Sequence, residues 1–428
     1  RRMLRAPYIL EPEQEASPAP LPPASSIPQS SSHSHHSYFG FPLIYYTNLL
    51  LATGIRTMMK PSRFKCIVFA ELLTLFTLTL FAYHKAHPLP LIQKIFHAHS
   101  TNTPATSQTT ESGSPSETSK PDFIKWVDFH VTSAAMNDAY QYDLKAHGTD
   151  TPIDWVSLLA ILGTKYGGDF KNYKTADMDK IANKILNKES TIEELTADLK
   201  NYNYYNEAYH AVLGGFVGEY QLPGSDHEKQ YGLKAFSPIA KGFPYTDYDD
   251  FGSSRSFGYR RQHLGHDMMG QIGTPIIAVE SGYVECLGWN RYGGWRIGIR
   301  SFDKKRYYYY AHLRQNFPYN KSLKEGSLVT AGDVIGYMGH TGYSDKENVN
   351  NIDIIHLHFG LQLIFDESQK DGNGEIWISC YELARFLSQN RSETVKDEST
   401  KEWHRVQEMV DPAVVEYAAD REEGGAQR

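Results

Sequence analysis

Cysteine is scarce in this chain. Three residues, Cys66, Cys286 and Cys380, occur among 428, too few for a disulfide framework to replace a hydrophobic core. Cys66 lies inside an apolar run, which leaves one possible pair, and the sequence does not say whether it forms. So low a count neither requires nor forbids an exported location. Positive charge is not in excess either: 43 Lys and Arg stand against 50 Asp and Glu, a formal net charge of −7, so no global basic field points to nucleic acid. The His-Glu-x-x-His pattern is absent as well, which removes the helix-borne glutamate base of the metalloproteases that carry it. What is plentiful is tyrosine, 29 residues within a 13% aromatic content. Its flat apolar face and polar tip suit extended polar ligands such as sugars and peptides, and equally an amphipathic surface and core.

The length accommodates two or three domains. Residues 1–57 are rich in Pro, Ser and His without periodicity, which reads as disorder. The first residue is not Met, and the expected biological start is Met58 or Met59, with the residues ahead of it an over-extended reading frame. Lys60, Arg63 and Lys65 then precede an apolar run from Cys66 to Tyr83. That is a positive region followed by a segment about as long as a bilayer core requires. No small-x-small cleavage site follows it, so 58–84 is expected to be an uncleaved anchor in preference to a signal peptide. The positive-inside rule then puts its N-terminus in the cytoplasm and everything after it outside. Residues 85–120, Ser/Thr/Pro-rich from His97 onward, read as a linker that holds the next domain away from the membrane.

Helical periodicity dominates 121–221. Pro152 behind Thr151 is placed to open a helix that Gly167 and Gly168 close. Thr175 starts another, with acidic residues in its first turn, and Ser190 with Glu193 has capping-box spacing. Asp169 and Glu219 are read as solvated helix-end carboxylates, since the sequence cannot fix the separation that a glycosidase pair would need. After Leu222 the pattern changes to short runs punctuated by glycine. Ile276–Val279, Tyr283–Leu287, Trp295–Arg300 and Arg306–Ala311 read as strands, with hairpin turns at NRYGG and SFDKK. The expectation is an α+β multidomain chain: anchor and linker, a small all-helical domain over 121–221, and an antiparallel β-rich domain over 222–388. The remainder, 389–428, reads as a charged, largely disordered tail.

The chemistry concentrates between His263 and His358. His263 and Asp267 come from HLGHD, His312 ends a tyrosine run in YYYYAHL, and His356 and His358 come from IIHLHFG. A lone histidine is usually a satisfied surface or core residue, but these occur together. In His-x-His on a strand both rings face one side. Two imidazoles buried among Ile354, Ile355 and Phe359 need partners, and a metal ion is an effective one. Gly265 allows a sharp backbone path, so His263 and Asp267 converge without requiring a helix.

These motifs resemble the lysostaphin-type zinc endopeptidases of bacterial peptidoglycan. The resemblance rests on His263–Asp267, the run Tyr310, Ala311, His312 and Leu313, the glycine-rich stretch from Val329 to Gly342, and His356, Leu357, His358 and Phe359. It covers roughly 235–365. It implies zinc held by His263, Asp267 and His358, with His312 and His356 as catalytic histidines. The implied partner is a peptidoglycan stem peptide or cross-bridge, and no nucleic acid. With the anchor, it implies a single-pass membrane protein whose catalytic domain is extracytoplasmic. The alternative is a catalytically silent cell-envelope scaffold of the same fold, and a zinc enzyme acting on another peptide is a third reading. Two features depart from the family pattern. A longer polar stretch separates Gly342 from His356 and is expected to border the substrate groove. His340 stands where a small residue is usual, with no role evident in the sequence. His266, inside the first motif, is expected to point away from the metal.

Overall fold

The computed structural model describes residues 123–224, 229–372 and 374–426. The expectations for 1–57, 58–84 and 85–120 therefore lie outside the described residues, and among those described no helix is long and apolar enough to cross a membrane. The described residues belong to one compact unit.

Five helices come first: α1 (Ser133–Ala146), α2 (Trp155–Tyr166), α3 (Thr175–Leu186), α4 (Ile192–Thr196) and α5 (Tyr202–Leu213). The start of α2 shows why boundaries shift from the sequence pattern. Its N-cap is Asp154, three residues beyond Thr151, because the Asp154 carboxylate accepts from both Val156 N and Ser157 N, and a charged cap holds two orphan donors at once. The α2 helix ends at Gly167, whose φ of 62° is left-handed, the usual glycine stop. The capping box falls one residue later than the spacing suggested. It joins Thr191 to Glu194, since the Ser190 amide is already engaged by the Lys184 carbonyl at the end of α3.

The strands are β1 (Val217–Gln221), β2 (Lys229–Leu233), β3 (Thr246–Asp247), β4 (Ser254–Phe257), β5 (Tyr259–Gln262), β6 (His266–Met269), β7 (Pro275–Ile277), β8 (Gly282–Asn290), β9 (Gly294–Ser301), β10 (Arg306–Ala311), β11 (Leu328–Val329), β12 (Val334–Tyr337), β13 (His356–Leu363) and β14 (Ile376–Ile378). The main sheet has eight strands in the order β11-β8-β9-β10-β13-β6-β3, with β14 also on β13, and its pairings are antiparallel. Strand β13 is central. One edge pairs with β10, while the other is shared by β6 at the His356 end and β14 at the Leu363 end.

Alternation along β10 assigns the tyrosine run. Tyr308 and Tyr310 are fully buried on the core side, whereas Tyr307 and Tyr309 line a groove on the other face. The helices and the sheet share one continuous core, from Val127 and Leu158 through Ile297 and Phe359 to Leu387. A buried cluster joins them. Arg306 pairs with Glu280, Tyr308 donates to the same carboxylate, and Arg306 Nη1 donates to the Ala211 carbonyl near the end of α5, 2.9 Å away.

The expected disordered tail is a correction. After α6 (Tyr381–Leu387) come β15 (Thr394–Lys396), β16 (Trp403–Arg405) and α7 (Pro412–Ala426). Charge alone suggested solvation, but these charges have partners in the body of the fold. Arg391 donates to the carbonyls of Ile239, Ala240 and Phe243, and Arg405 donates to Ala331 O and Asp333.

Candidate active site

Register places the site. His358 opposes Ala311 on β10 and Asp267 on β6, so the ladder itself brings the last and first motifs side by side. His263 lies just beyond β5, and the chain doubles back through Gly265 to enter β6. Glycine is required at that bend: a Cβ there would lie 2.4 Å from His358 Cε1. Three atoms converge as a result. His263 Nε2 is 2.9 Å from His358 Nδ1 and 3.0 Å from Asp267 Oδ1, and His358 Nδ1 is 3.0 Å from the same oxygen. Among the described residues these three form the group able to hold a metal ion.

The donor set fits zinc. Two imidazole nitrogens and one carboxylate oxygen are its usual ligands in catalytic sites. Ligand distances of roughly 2.0–2.1 Å place tetrahedral donors about 3.3 Å apart, close to the triangle seen here. Burial works against the Asp267 charge, but His263 and His358 outweigh it and hold the carboxyl far below its ordinary value. Burial lowers His358. For His263 burial acts in the same downward sense, yet Asp250 and Asp267 raise it to about 9.

Two residues beyond the sequence reading support these ligands. Asp250 Oδ2 is 3.1 Å from His263 Nδ1, which turns Nε2 towards the triangle. Arg255 on β4 joins Asp250 to Asp267 Oδ2, the carboxylate oxygen outside the triangle, at 3.1 Å. Nothing in the spacing of YDDFGSSRSF marks either residue, because they reach His263 only through the β4–β5 hairpin.

His312 and His356 stand beside the triangle, their ring centroids 4.7 Å apart. His312 Nδ1 donates to Thr341 O at 2.9 Å and His356 Nδ1 to Ile354 O at 2.8 Å. In both rings this leaves Nε2 as the free, acceptor nitrogen. Burial pushes the His312 pKa well below its ordinary value, and the neighbouring His356 and His358 push it the same way. It is therefore neutral at pH 7. His312 holds a φ of 61°, a left-handed conformation uncommon for a residue with a Cβ, kept by its Thr341 contact and by hydrogen bonds to Gly293 O and Gly339 N.

The structure brings His263, Asp267, His312, His356 and His358 into one groove of about 790 Å³. His266 points away, to Asp247 at 2.9 Å and the Tyr381 ring. The role of His340 is structural. Its Nδ1 donates to Ile352 O at 2.7 Å, pinning the long stretch before His356. Asn351, Ile352, Asp353 and Ile354 of that stretch line the groove.

Residues 261–371 match the family model "Peptidase family M23". An L-Ala–D-Glu endopeptidase of Bacillus subtilis (strain 168) is 34% identical over 186 residues, 41% of this chain and 56% of the relative. A glycyl-glycine endopeptidase of Staphylococcus capitis is 37% identical over 98 residues, 23% of this chain and 24% of the relative. Among solved structures, the catalytic domain of lysostaphin from Staphylococcus simulans is 30% identical, covering 30% of this chain and 84% of that one with a TM-score of 0.24. The chain thus spans about half the length of the first of these relatives and a quarter of the second. Through residues 261–371 the chain belongs to peptidase family M23.

Proposed function

We propose that this protein is a zinc metalloendopeptidase that hydrolyses peptide bonds in bacterial peptidoglycan, in stem peptides or cross-bridges. The observation that carries this reading is the convergence of His263 Nε2, Asp267 Oδ1 and His358 Nδ1 beside two imidazoles in one groove. Relatives named for the L-Ala–D-Glu bond and for the glycyl-glycine bond support a peptidoglycan peptide as substrate class.

Bound by His263, Asp267 and His358, zinc supplies Lewis acidity that polarises a carbonyl and acidifies water near neutral pH. The chain's own residues then divide the proton work. His312 or His356, with Nε2 facing the groove, accepts a proton from the attacking water as its oxygen bonds the carbonyl carbon. Once protonated, that imidazole donates from Nε2 to the developing oxyanion and then passes the proton to the amine nitrogen as the C–N bond breaks. Burial, which keeps His312 neutral, suits it to accept. A silent scaffold is disfavoured by the presence and convergence of all five side chains.

We also place the peptidase region outside a membrane, held by the 58–84 segment. Support comes from Lys60, Arg63 and Lys65 ahead of the apolar run, and from the Ser/Thr/Pro-rich stretch after it. Expected is recovery with washed membranes and cleavage by protease added from outside; recovery in the cytosol alone overturns the placement.

The test of function is mass spectrometry of purified peptidoglycan incubated with the zinc-loaded full chain. New peptide termini are expected. Their absence, with zinc bound at one per chain, overturns the enzyme reading.

A further inference from the structure

We propose that Arg296 and Arg261 form a carboxylate-recognition subsite on the groove, selecting an acidic stem peptide over an uncharged oligoglycine strand. The inference rests on the peptidase reading and extends it to substrate choice.

Among the described residues, half-buried Arg314 and Arg391 lack a carboxylate but donate to backbone carbonyls instead. The remaining buried or half-buried arginines outside the groove, and Arg255 within it, pair with carboxylates. Arg300 pairs with Glu285 and Glu367, Arg306 with Glu280 and Asp303, Arg405 with Asp333, and Arg255 with Asp250 and Asp267. A guanidinium taken out of water needs such a partner. Arg296 and Arg261 both line the groove, and among the described residues neither has a carboxylate. Arg296 Nη1 reaches only Cys286 Sγ, at 2.9 Å, and its Nε is buried with no partner. Arg261 Nη2 donates to Tyr343 Oη at 2.9 Å, and its guanidinium lies 4.8 and 5.1 Å from the Tyr292 and Tyr343 ring centroids. Its Nη1 is likewise buried without a partner. Lys370, which also lines the groove, is already held by Glu285.

Both arginines line the groove together with Tyr309, on the groove side of β10. The sheet register fixes the distance to the reacting centre. Tyr307 to Tyr310 oppose Arg300 to Ile297, so the next step sets Arg296 opposite Ala311, which opposes His358. Two strand spacings are about 10 Å. An extended peptide advances about 3.3 Å per residue, so a carboxylate held there belongs to a residue within roughly three of the scissile bond. Arginine's planar fork matches a carboxylate bidentately. Asp353, Asp371 and Glu375 also line the groove, but none pairs with either arginine. A glycine strand offers these donors no charge and would leave them unpaired, and sites built around buried polar groups reject ligands that do not satisfy them.

The test uses the zinc-loaded full chain and three synthetic peptides: a stem peptide containing L-Ala–γ-D-Glu with its α-carboxylate free, the same peptide with that group amidated, and pentaglycine. Expected is a kcat/KM roughly ten- to hundredfold higher for the free carboxylate than for the amide, and higher for the free acid than for pentaglycine. Arg296→Gln brings free acid and amide to within about threefold of each other while zinc content stays at one per chain. Equal cleavage of acid and amide by the native chain, or preferred cleavage of pentaglycine, overturns the subsite and leaves the peptidase reading intact. Should no peptide be cut, the peptidoglycan digest decides the peptidase reading, and calorimetric binding to the same zinc-loaded chain decides the subsite. Binding of the free acid at least about tenfold tighter than the amide supports it, and equal binding overturns it.

Discussion

Asp250 Oδ2 lies 3.1 Å from His263 Nδ1, on the opposite side of the ring from the nitrogen that joins His358 and Asp267. This is the carboxylate–histidine arrangement that fixes ring orientation and raises the basicity of a metal ligand. Asp250→Asn removes the negative charge and leaves one oxygen able to accept from His263 Nδ1. Zinc affinity is expected to fall roughly ten- to hundredfold, read by competition with a chelator of known affinity. Unchanged affinity would show that His263 does not depend on the Asp250 charge.

The ligands and the flanking histidines should separate cleanly. Asp267→Ala and His358→Ala are expected to lose zinc, because two donors and water do not make the set that holds the ion. His312→Ala should keep one zinc per chain and lose turnover by about 10²–10⁴-fold, the usual scale of general acid–base catalysis. Loss of metal from the His312 variant contradicts the assignment.

Gly265 does not line the groove and has no side chain to offer a metal, yet it governs the site. A Cβ at this position would sit 2.4 Å from His358 Cε1 and 3.0 Å from Phe359 O. Gly265→Ala must displace the His358 ring or the β6 backbone. The expected result is a folded chain with unchanged circular dichroism and impaired zinc retention. Full zinc occupancy in that variant would mean the bend relaxes away from His358.

Arg306 and Glu280 tie the helices to the sheet through a pair with both side chains almost fully buried. Removing one partner strands the other charge. Arg306→Met is expected to cost about 3–5 kcal/mol of stability in urea denaturation, with the double variant Arg306→Met/Glu280→Met less damaging than the single. Equal loss in both would assign the effect to packing alone.

His210 on α5 and Asp154 at the cap of α2 give the fold a pH dependence. Their nearest atoms are 3.2 Å apart. Burial opposes both shifts, but the pairing overcomes it, raising His210 and lowering Asp154. The raised histidine contributes stability that is complete below its unfolded pKa, about 6.5, and is lost as pH rises through its folded value. The depressed carboxyl contributes above its unfolded pKa, about 3.9, and loses that contribution as pH falls through its folded value. The pair therefore helps most from about pH 4 to 6.5. Both side chains are more than a third exposed, so the effect is within about 1 kcal/mol. His210→Gln should destabilise the chain at about pH 5.5 and be nearly neutral at about pH 8.5; the reverse order would refute the pairing.

By itself the sequence determined the strands around the tyrosine run, the hairpin turns at NRYGG and SFDKK, and the five side chains that meet in the groove. These were legible because strand alternation has a fixed period and the His-x-His spacing survives in one dimension. Element edges were not, as Asp154 and Thr191 show: the cap is taken by whichever side chain reaches the free amides. Neither were Asp250 and Arg255, whose roles arise from a hairpin folding back on His263. The charged C-terminal stretch looked solvated because its partners, Ile239, Ala240, Phe243, Ala331 and Asp333, lie far away in the chain. The carboxylate-free state of Arg261 and Arg296 was decided by tertiary structure alone. Charge is written in the sequence, but whether a charge has a partner depends on which residues burial brings within reach of it.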